Sequence, residues 1–82
     1  MTGSEIAGAV RRIIVKIAPD VDEASIQPDE DLRTTLGIDS FDHLRIMTAI
    51  AAEFQIPIAE QQYGQLYTLA GIVRYIAAHA AH

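Results

Sequence analysis

The sequence predicts an all-α fold: a small four-helix bundle of three main helices plus a short third one, with a long loop between the first and second helices. Three observations predict it. Apolar residues recur at steps of three and four in separate stretches, from Ile6 to Ile17, from Ile46 to Phe54 and from Leu69 to Ile76. No segment offers a candidate strand. The 82 residues, 50% of them hydrophobic, supply one modest core, which suits a single domain over 1–82 and argues against disorder.

The first helix opens on Thr2-Gly3-Ser4-Glu5, a capping box with Thr2 at the cap and Glu5 three residues on. Ile6, Val10, Ile13 and Ile17 follow at steps of four, three and four, and Ala9 and Ile14 widen them into a core-facing stripe. Arg11, Arg12 and Lys16 lie off that stripe, and Pro19 ends the helix near Ala18.

Residues 19–35 have no sustained period. Between Asp20 and Asp31 there are six acids and no base, in a twelve-residue segment that begins Asp-x-Asp like a calcium loop. The chemistry does not follow. Ser25 stands where the sharp turn needs Gly, Ala24 and Pro28 stand at ligand positions, and Asp31 replaces the bidentate Glu. The segment reads as a solvated loop pinned to the core by Ile26, Leu32 and Leu36.

The chain changes character at Leu36-Gly37-Ile38-Asp39-Ser40-Phe41. Gly37 permits a backbone angle that other residues avoid. Asp39 and Ser40 are both N-cap types, so a helix starts at one of them and runs to Phe54. Ser40 is thereby exposed at the positive end of a helix dipole, where an anionic group esterified to its hydroxyl would meet free backbone N–H groups. Along this helix Ile46, Met47, Ile50 and Phe54 face the core. Phe41 and Leu44 lie on another arc, which is either an exposed recognition edge beside Ser40 or a second core contact; the edge is the expectation.

Gln55-Ile56-Pro57 breaks the helix. Ile58 to Gln65 has room for one or two turns with Gly64 as a stop, Ile58 and Leu66 pointing inward and Tyr63 on either side. Thr68 caps the last helix, whose buried stripe is Leu69, Ile72, Val73 and Ile76. Gly71 lowers its helix propensity and points to close packing. The alanine-rich residues 77–81 extend it toward His82.

The composition excludes several functions. A net charge of −5 disfavours nucleic acid and favours partners with basic patches. Without cysteine the chain has no disulfide, no thiolate metal site and no thiol of its own. His43, His79 and His82 are its only histidines, and no carboxylate is spaced to join the last two around a metal. No apolar run reaches membrane-span length and no basic-then-apolar leader is present, so a cytoplasmic monomer is expected, with no membrane contact. Ser40, His43 and Asp39 or Asp42 are the residue types of a nucleophilic triad. The Gly-x-Ser-x-Gly elbow, a strand to build it on and an oxyanion hole are all missing, so no catalytic role is assigned. His43 reads as an exposed residue whose protonated form the dipole disfavours.

Leu36-Gly37-Ile38-Asp39-Ser40-Phe41-Asp42 resembles the Leu-Gly-x-Asp-Ser-hydrophobic-acid signature of the acyl carrier protein family, the phosphopantetheine-binding carrier domains. The resemblance spans nearly the whole chain: the opening helix, the long acidic loop, Asp39-Ser40 near the middle, Glu53-Phe54 closing the second helix and Thr68 before the last. It implies that Ser40 carries a 4′-phosphopantetheine arm, placed there by a phosphopantetheinyl transferase. The arm's thiol would hold acyl groups as thioesters for acyl-loading and acyl-processing enzymes of fatty-acid, polyketide or related lipid and secondary metabolism. It implies that Asp39, Phe41, Asp42 and Leu44 meet those enzymes, with Glu60 as a secondary contact; Arg45, on the same helix, is expected to take part in that recognition as this chain's own feature. Ile6, Ile46, Ile50, Phe54, Ile58, Leu66 and Ile72 then either line a cargo cavity or simply pack the core. The chain departs from the fatty-acid carriers in having Arg45 where an acid is usual, with His43 and Thr48 nearby, and Gln61 and Gln62 after Glu60. That suggests a specialised, free-standing carrier. A peptidyl or aminoacyl carrier of the same fold is the nearest alternative, although Ile38 stands where that group commonly has a second Gly. An unmodified helical interaction domain is the alternative of another class.

Overall fold

The computed structural model describes residues 2–80. Among them the regular structure is entirely helical: α1 (Gly3–Ile17), a 3₁₀ turn (Glu23–Ser25), α2 (Leu32–Leu36), α3 (Ser40–Phe54), a second 3₁₀ segment (Glu60–Gln65) and α4 (Leu69–Ala80). The expected short third helix is this second 3₁₀ segment. The expected extension at Ala81 and His82 lies outside the described residues.

The capping box forms as spaced: the Thr2 hydroxyl accepts from Glu5 N at 3.1 Å and Thr2 N donates to Glu5 Oε1 at 2.8 Å. Those bonds hold the Glu5 carboxyl below its ordinary pKa. Ala18 caps the other end. α1 packs against both α3 and α4. Its buried line is Ile6, Val10 and Ile14, an unbroken run at steps of four, while Ile13 and Ile17 are only partly covered. The stripe read from the sequence is therefore rotated by one residue, because α3 and α4 straddle the Ile14 side of the helix. Arg11, expected off the stripe, bridges to the loop and donates to the Ile26 carbonyl at 3.2–3.3 Å.

The long acidic segment is more structured than an irregular loop. Asp22 caps its 3₁₀ turn, Asp31 caps α2, and Ile26 and Leu32 are fully buried. Two backbone bonds stitch it to the far end of the fold: Leu32 N donates to Tyr67 O at 2.8 Å, and Ala70 N donates to Pro28 O at 2.9 Å. Those bonds are long-range in sequence, which is why periodicity did not reveal them.

In the core, Ile46, Met47 and Ile50 of α3 meet Leu66, Leu69, Ile72 and Ile76, while Phe54, Ile58, Tyr63 and Val73 are half-buried around them. Gly64 does not stop its helix; it lies within Glu60–Gln65 at ordinary φ. Gly71 sits against the Gln65 carbonyl so closely that an added Cβ would lie 2.6 Å from that oxygen and 3.1 Å from Thr68 Oγ1. The partner that the sequence left unnamed for this glycine is thus the end of the second 3₁₀ segment. Thr68 caps α4, its hydroxyl accepting from Gly71 N at 3.0 Å. Among the described residues no helix is long and apolar enough to cross a membrane.

Candidate functional site

Ser40 is presented by a tight succession of backbone devices. Gly37 ends α2 in the left-handed region at φ 68°, a conformation glycine adopts without a Cβ penalty. The chain reverses there, and Ile38 N donates back to Leu32 O at 3.2 Å. The Ile38 side chain then plugs into the core at 2% exposure. Asp39 resolves the choice of cap: its backbone is extended and its carboxylate accepts from Asp42 N at 2.8 Å. Ser40 is the first residue of α3, exposed, two residues after that buried anchor. The hydroxyl is therefore held at a fixed place on the surface, beside a first turn whose leading N–H groups favour an anion.

Around Ser40, Phe41 is 72% exposed and Leu44 is 42% exposed, so the second-core-contact alternative for Phe41 does not hold. Arg45 projects into solvent, with its Nη1 3.7 Å from Asp42 Oδ1. Such an exposed, long pair contributes little to stability. Thr48 is satisfied within its own helix, its hydroxyl donating to Leu44 O at 2.9 Å. Glu60 is exposed at the start of the second 3₁₀ segment. Of the cavity candidates, Ile6, Ile46, Ile50, Leu66 and Ile72 are buried in the core, and Phe54 and Ile58 are half-buried at its edge.

His43 overturns an expectation. It is 1% exposed, not a surface residue, and so cannot contribute to a recognition surface alongside Arg45 and Thr48. One turn beyond Ser40, its ring faces inward and its Nε2 lies 2.8 Å from the Leu66 carbonyl. A carbonyl only accepts, so Nε2 carries the proton and donates. The ring stacks on Tyr67, centroids 3.9 Å apart, and meets the edge of Tyr63 at 5.9 Å. On the other side of Tyr67 the Arg33 guanidinium sits 3.7 Å above the ring centre, and Arg33 is forked to Asp31 at 2.9 and 3.2 Å. Burial pushes the His43 pKa down; the Leu66 carbonyl opposes this, the Arg33 charge adds to it, and Asp31 opposes it more weakly. The Arg33 hydrogen bonds hold the Asp31 carboxyl at about 2. The ring is 1% exposed, lies against Tyr67 and makes no hydrogen bond to Ser40 among the described residues, so the triad residue types do not form a triad. What they form is a layered joint of Arg33, Tyr67 and His43 that fixes α2 and the α4 junction against the start of α3.

Sequence reasoning missed Ile38, Arg33, Tyr67 and the inward turn of His43. A lone apolar residue between Gly37 and Asp39 was a signal for the Ile38 anchor. Nothing local links His43 to Tyr67 or Arg33. Among the described residues, no group of three or more His, Cys, Asp or Glu side chains is placed to hold a metal ion.

The comparisons with known proteins bear on this geometry. The family model described as "Phosphopantetheine attachment site" matches residues 8–76. An acyl carrier protein of Streptomyces coelicolor is 32% identical over 77 residues, covering 94% of this chain and 79% of that protein. A solved structure of the acyl carrier protein from Enterococcus faecalis superposes with a TM-score of 0.74, covering 96% of this chain and 99% of that one, at 18% identity. That likeness shows the same fold.

Proposed function

The chain belongs to the acyl carrier protein family, whose prosthetic group is 4′-phosphopantetheine, and on that premise we propose that Ser40 is the attachment point. It is accordingly a carrier and not an enzyme: the chemistry on its cargo belongs to its partners. When bound, the group supplies the thiol this cysteine-free chain lacks, and acyl groups are held on it as thioesters.

The residues present fit such a group. The observation that carries the reading is the exposed hydroxyl of Ser40, held at the first position of α3 by the Gly37 turn, the buried Ile38 and the Asp39 cap. The helix N-terminus favours a phosphodiester at that hydroxyl. Asp39 spends its carboxylate on Asp42 N, which leaves the first backbone N–H groups of α3 free for the anion. Asp42, negative and two residues along α3, discourages the phosphate from settling further along the helix, so the arm projects outward. Phe41, Leu44 and Arg45 form the recognition edge beside it, with Asp39, Asp42 and Glu60 as acidic contacts for basic patches on a phosphopantetheinyl transferase and on acyl-loading and acyl-processing enzymes. Ile46, Ile50, Phe54, Ile58, Leu66 and Ile72 are the side chains between which an acyl cargo would lie, entered at the half-buried Phe54 and Ile58. The positive charge of Arg45, five residues after Ser40 on the same helix, favours partners other than those of an all-acidic recognition helix. This suits polyketide or specialised lipid synthesis in the cytoplasm better than standard fatty-acid synthesis.

The test is the intact mass after incubation with coenzyme A and a broad-specificity phosphopantetheinyl transferase. The wild-type chain gains one phosphopantetheinyl unit and Ser40→Ala gains none. A wild-type chain unmodified by several transferases would instead make this an interaction domain.

A further inference from the structure

α1 carries more apolar residues than the core takes up. Ile6, Val10 and Ile14 fill its buried line, and Ile13 and Ile17 are left partly uncovered to one side. With Ala49 of α3 they floor an open groove of about 610 Å³ between the two helices. Lys16 and Arg45 stand over it, and Glu53 is the one carboxylate in its lining. A smaller recess of about 190 Å³ continues from it to Arg12, sharing Ile13, Lys16 and Glu53. Three cations thus face one carboxylate on a chain of net charge −5. Among the described residues Arg12 and Lys16 have no ion-pair partner, and Arg45 has only the 3.7 Å contact to Asp42.

We propose that this groove is a second docking face, occupied by an acidic amphipathic segment of a partner protein. Its apolar residues cover Ile13, Ile17 and Ala49 and its carboxylates meet Arg12 and Lys16, leaving Arg45 at the rim toward the recognition edge. The charge selects the occupant: a basic segment suited to the acidic loop is repelled here. The shape selects it too, because a trough between two helices takes a rod, whereas a lipid surface is flat. The position says what the docking is for. At about 100° per residue, Ala49 lies half a turn around α3 from Ser40 and about 13 Å along it. A segment in the groove leaves Ser40 and Leu44 uncovered. One protein can therefore hold this chain while another works at Ser40, with opposite charge preferences keeping the two faces distinct.

The groove does not depend on modification of Ser40, so the unmodified, ¹⁵N-labelled chain serves as the sample. It is titrated with a helical Leu/Glu peptide, with the same peptide carrying Lys for every Glu, and with phosphatidylglycerol vesicles. The acidic peptide is expected to shift the amides of Ile13, Lys16, Ile17 and Ala49, to bind less tightly as salt is raised, and to bind roughly tenfold more weakly to Lys16→Glu while Lys16→Arg retains binding. Far-UV circular dichroism checks that Lys16→Glu stays folded. With the acidic peptide at saturation, a transferase still modifies Ser40 at the rate seen without it. Equal binding of the lysine peptide, shifts centred on Phe41 and Leu44, a response to the vesicles alone, no binding at all, or an unchanged affinity for Lys16→Glu overturns the proposal. A peptide that blocks modification of Ser40 overturns the simultaneous use of the two faces.

Discussion

His43→Ala removes the innermost layer of the joint of Arg33, Tyr67 and His43. The ring is 1% exposed, stacks on Tyr67 at 3.9 Å and donates to Leu66 O at 2.8 Å. Truncating a large buried side chain to Ala costs about 2–5 kcal/mol, and a buried carbonyl left without a donor costs about 1–3 kcal/mol. The two overlap, since water entering the space would reach the carbonyl, so a loss of roughly 3 kcal/mol is expected. An 82-residue domain has a total stability of about 4–12 kcal/mol. The variant should therefore melt about 12–24 °C lower, or be largely unfolded at ambient temperature. His43→Gln, which keeps an N–H for Leu66, should recover about 1 kcal/mol. The pH dependence separates the ring's charge from its bulk. Burial lowers the pKa of His43 in the folded chain, whereas the unfolded chain takes up the proton near 6.5. The folded state thus prefers the neutral ring. Its contribution is complete above pH 6.5 and is lost as pH falls from there toward the folded pKa. The Asp31 carboxyl, held at about 2 against 3.8, contributes above 3.8 and is lost only between those values. Urea unfolding between about pH 8 and 5 isolates the histidine. Wild type should lose stability on acidification across that range and His43→Gln should not. A His43→Ala cost below about 1 kcal/mol, or equal pH slopes in wild type and His43→Gln, would refute the buried joint.

Three further perturbations test other contacts. Gly71→Ala gains about 1 kcal/mol of helix propensity but sets a Cβ 2.6 Å from Gln65 O, about 0.8 Å inside ordinary contact, so chemical denaturation should give a net loss of roughly 1–2 kcal/mol. Gly37→Ala meets no atom within 4 Å, so its cost is the left-handed backbone alone, about 1–2 kcal/mol, with Gly37→Asn closer to neutral in the same assay. Arg45→Glu should leave thermal stability within about 0.5 kcal/mol of wild type and change association rates among partner enzymes, measured by stopped-flow; unchanged rates remove Arg45 from the recognition edge.

The local features were legible because they are written in adjacent residues. Thr2 and Glu5 named their capping box, Asp39-Ser40 marked the start of α3, Gly37 announced the left-handed turn, and the steps through Ile46, Ile50 and Phe54 gave the helix its length. What stayed hidden depends on who lies opposite. The Ile13 and Ile17 positions fit a core stripe by period, yet only the placement of α3 and α4 decides that Ile14 takes the centre. His43 carries no sequence mark of burial; its satisfaction comes from Leu66 and Tyr67 across the bundle. The acidic loop lacks a period because its order comes from Arg11, Tyr67 O and Ala70 N, each distant in the chain.

Ser4, Ser25 and Ser40 are the serines of this chain, and tandem mass spectrometry can say which of them takes the arm. After reaction with coenzyme A and a transferase, fragmentation of the intact chain should place the phosphopantetheinyl unit on Ser40 alone. A unit on Ser4 or Ser25, or one that persists in Ser40→Ala, would contradict the assignment.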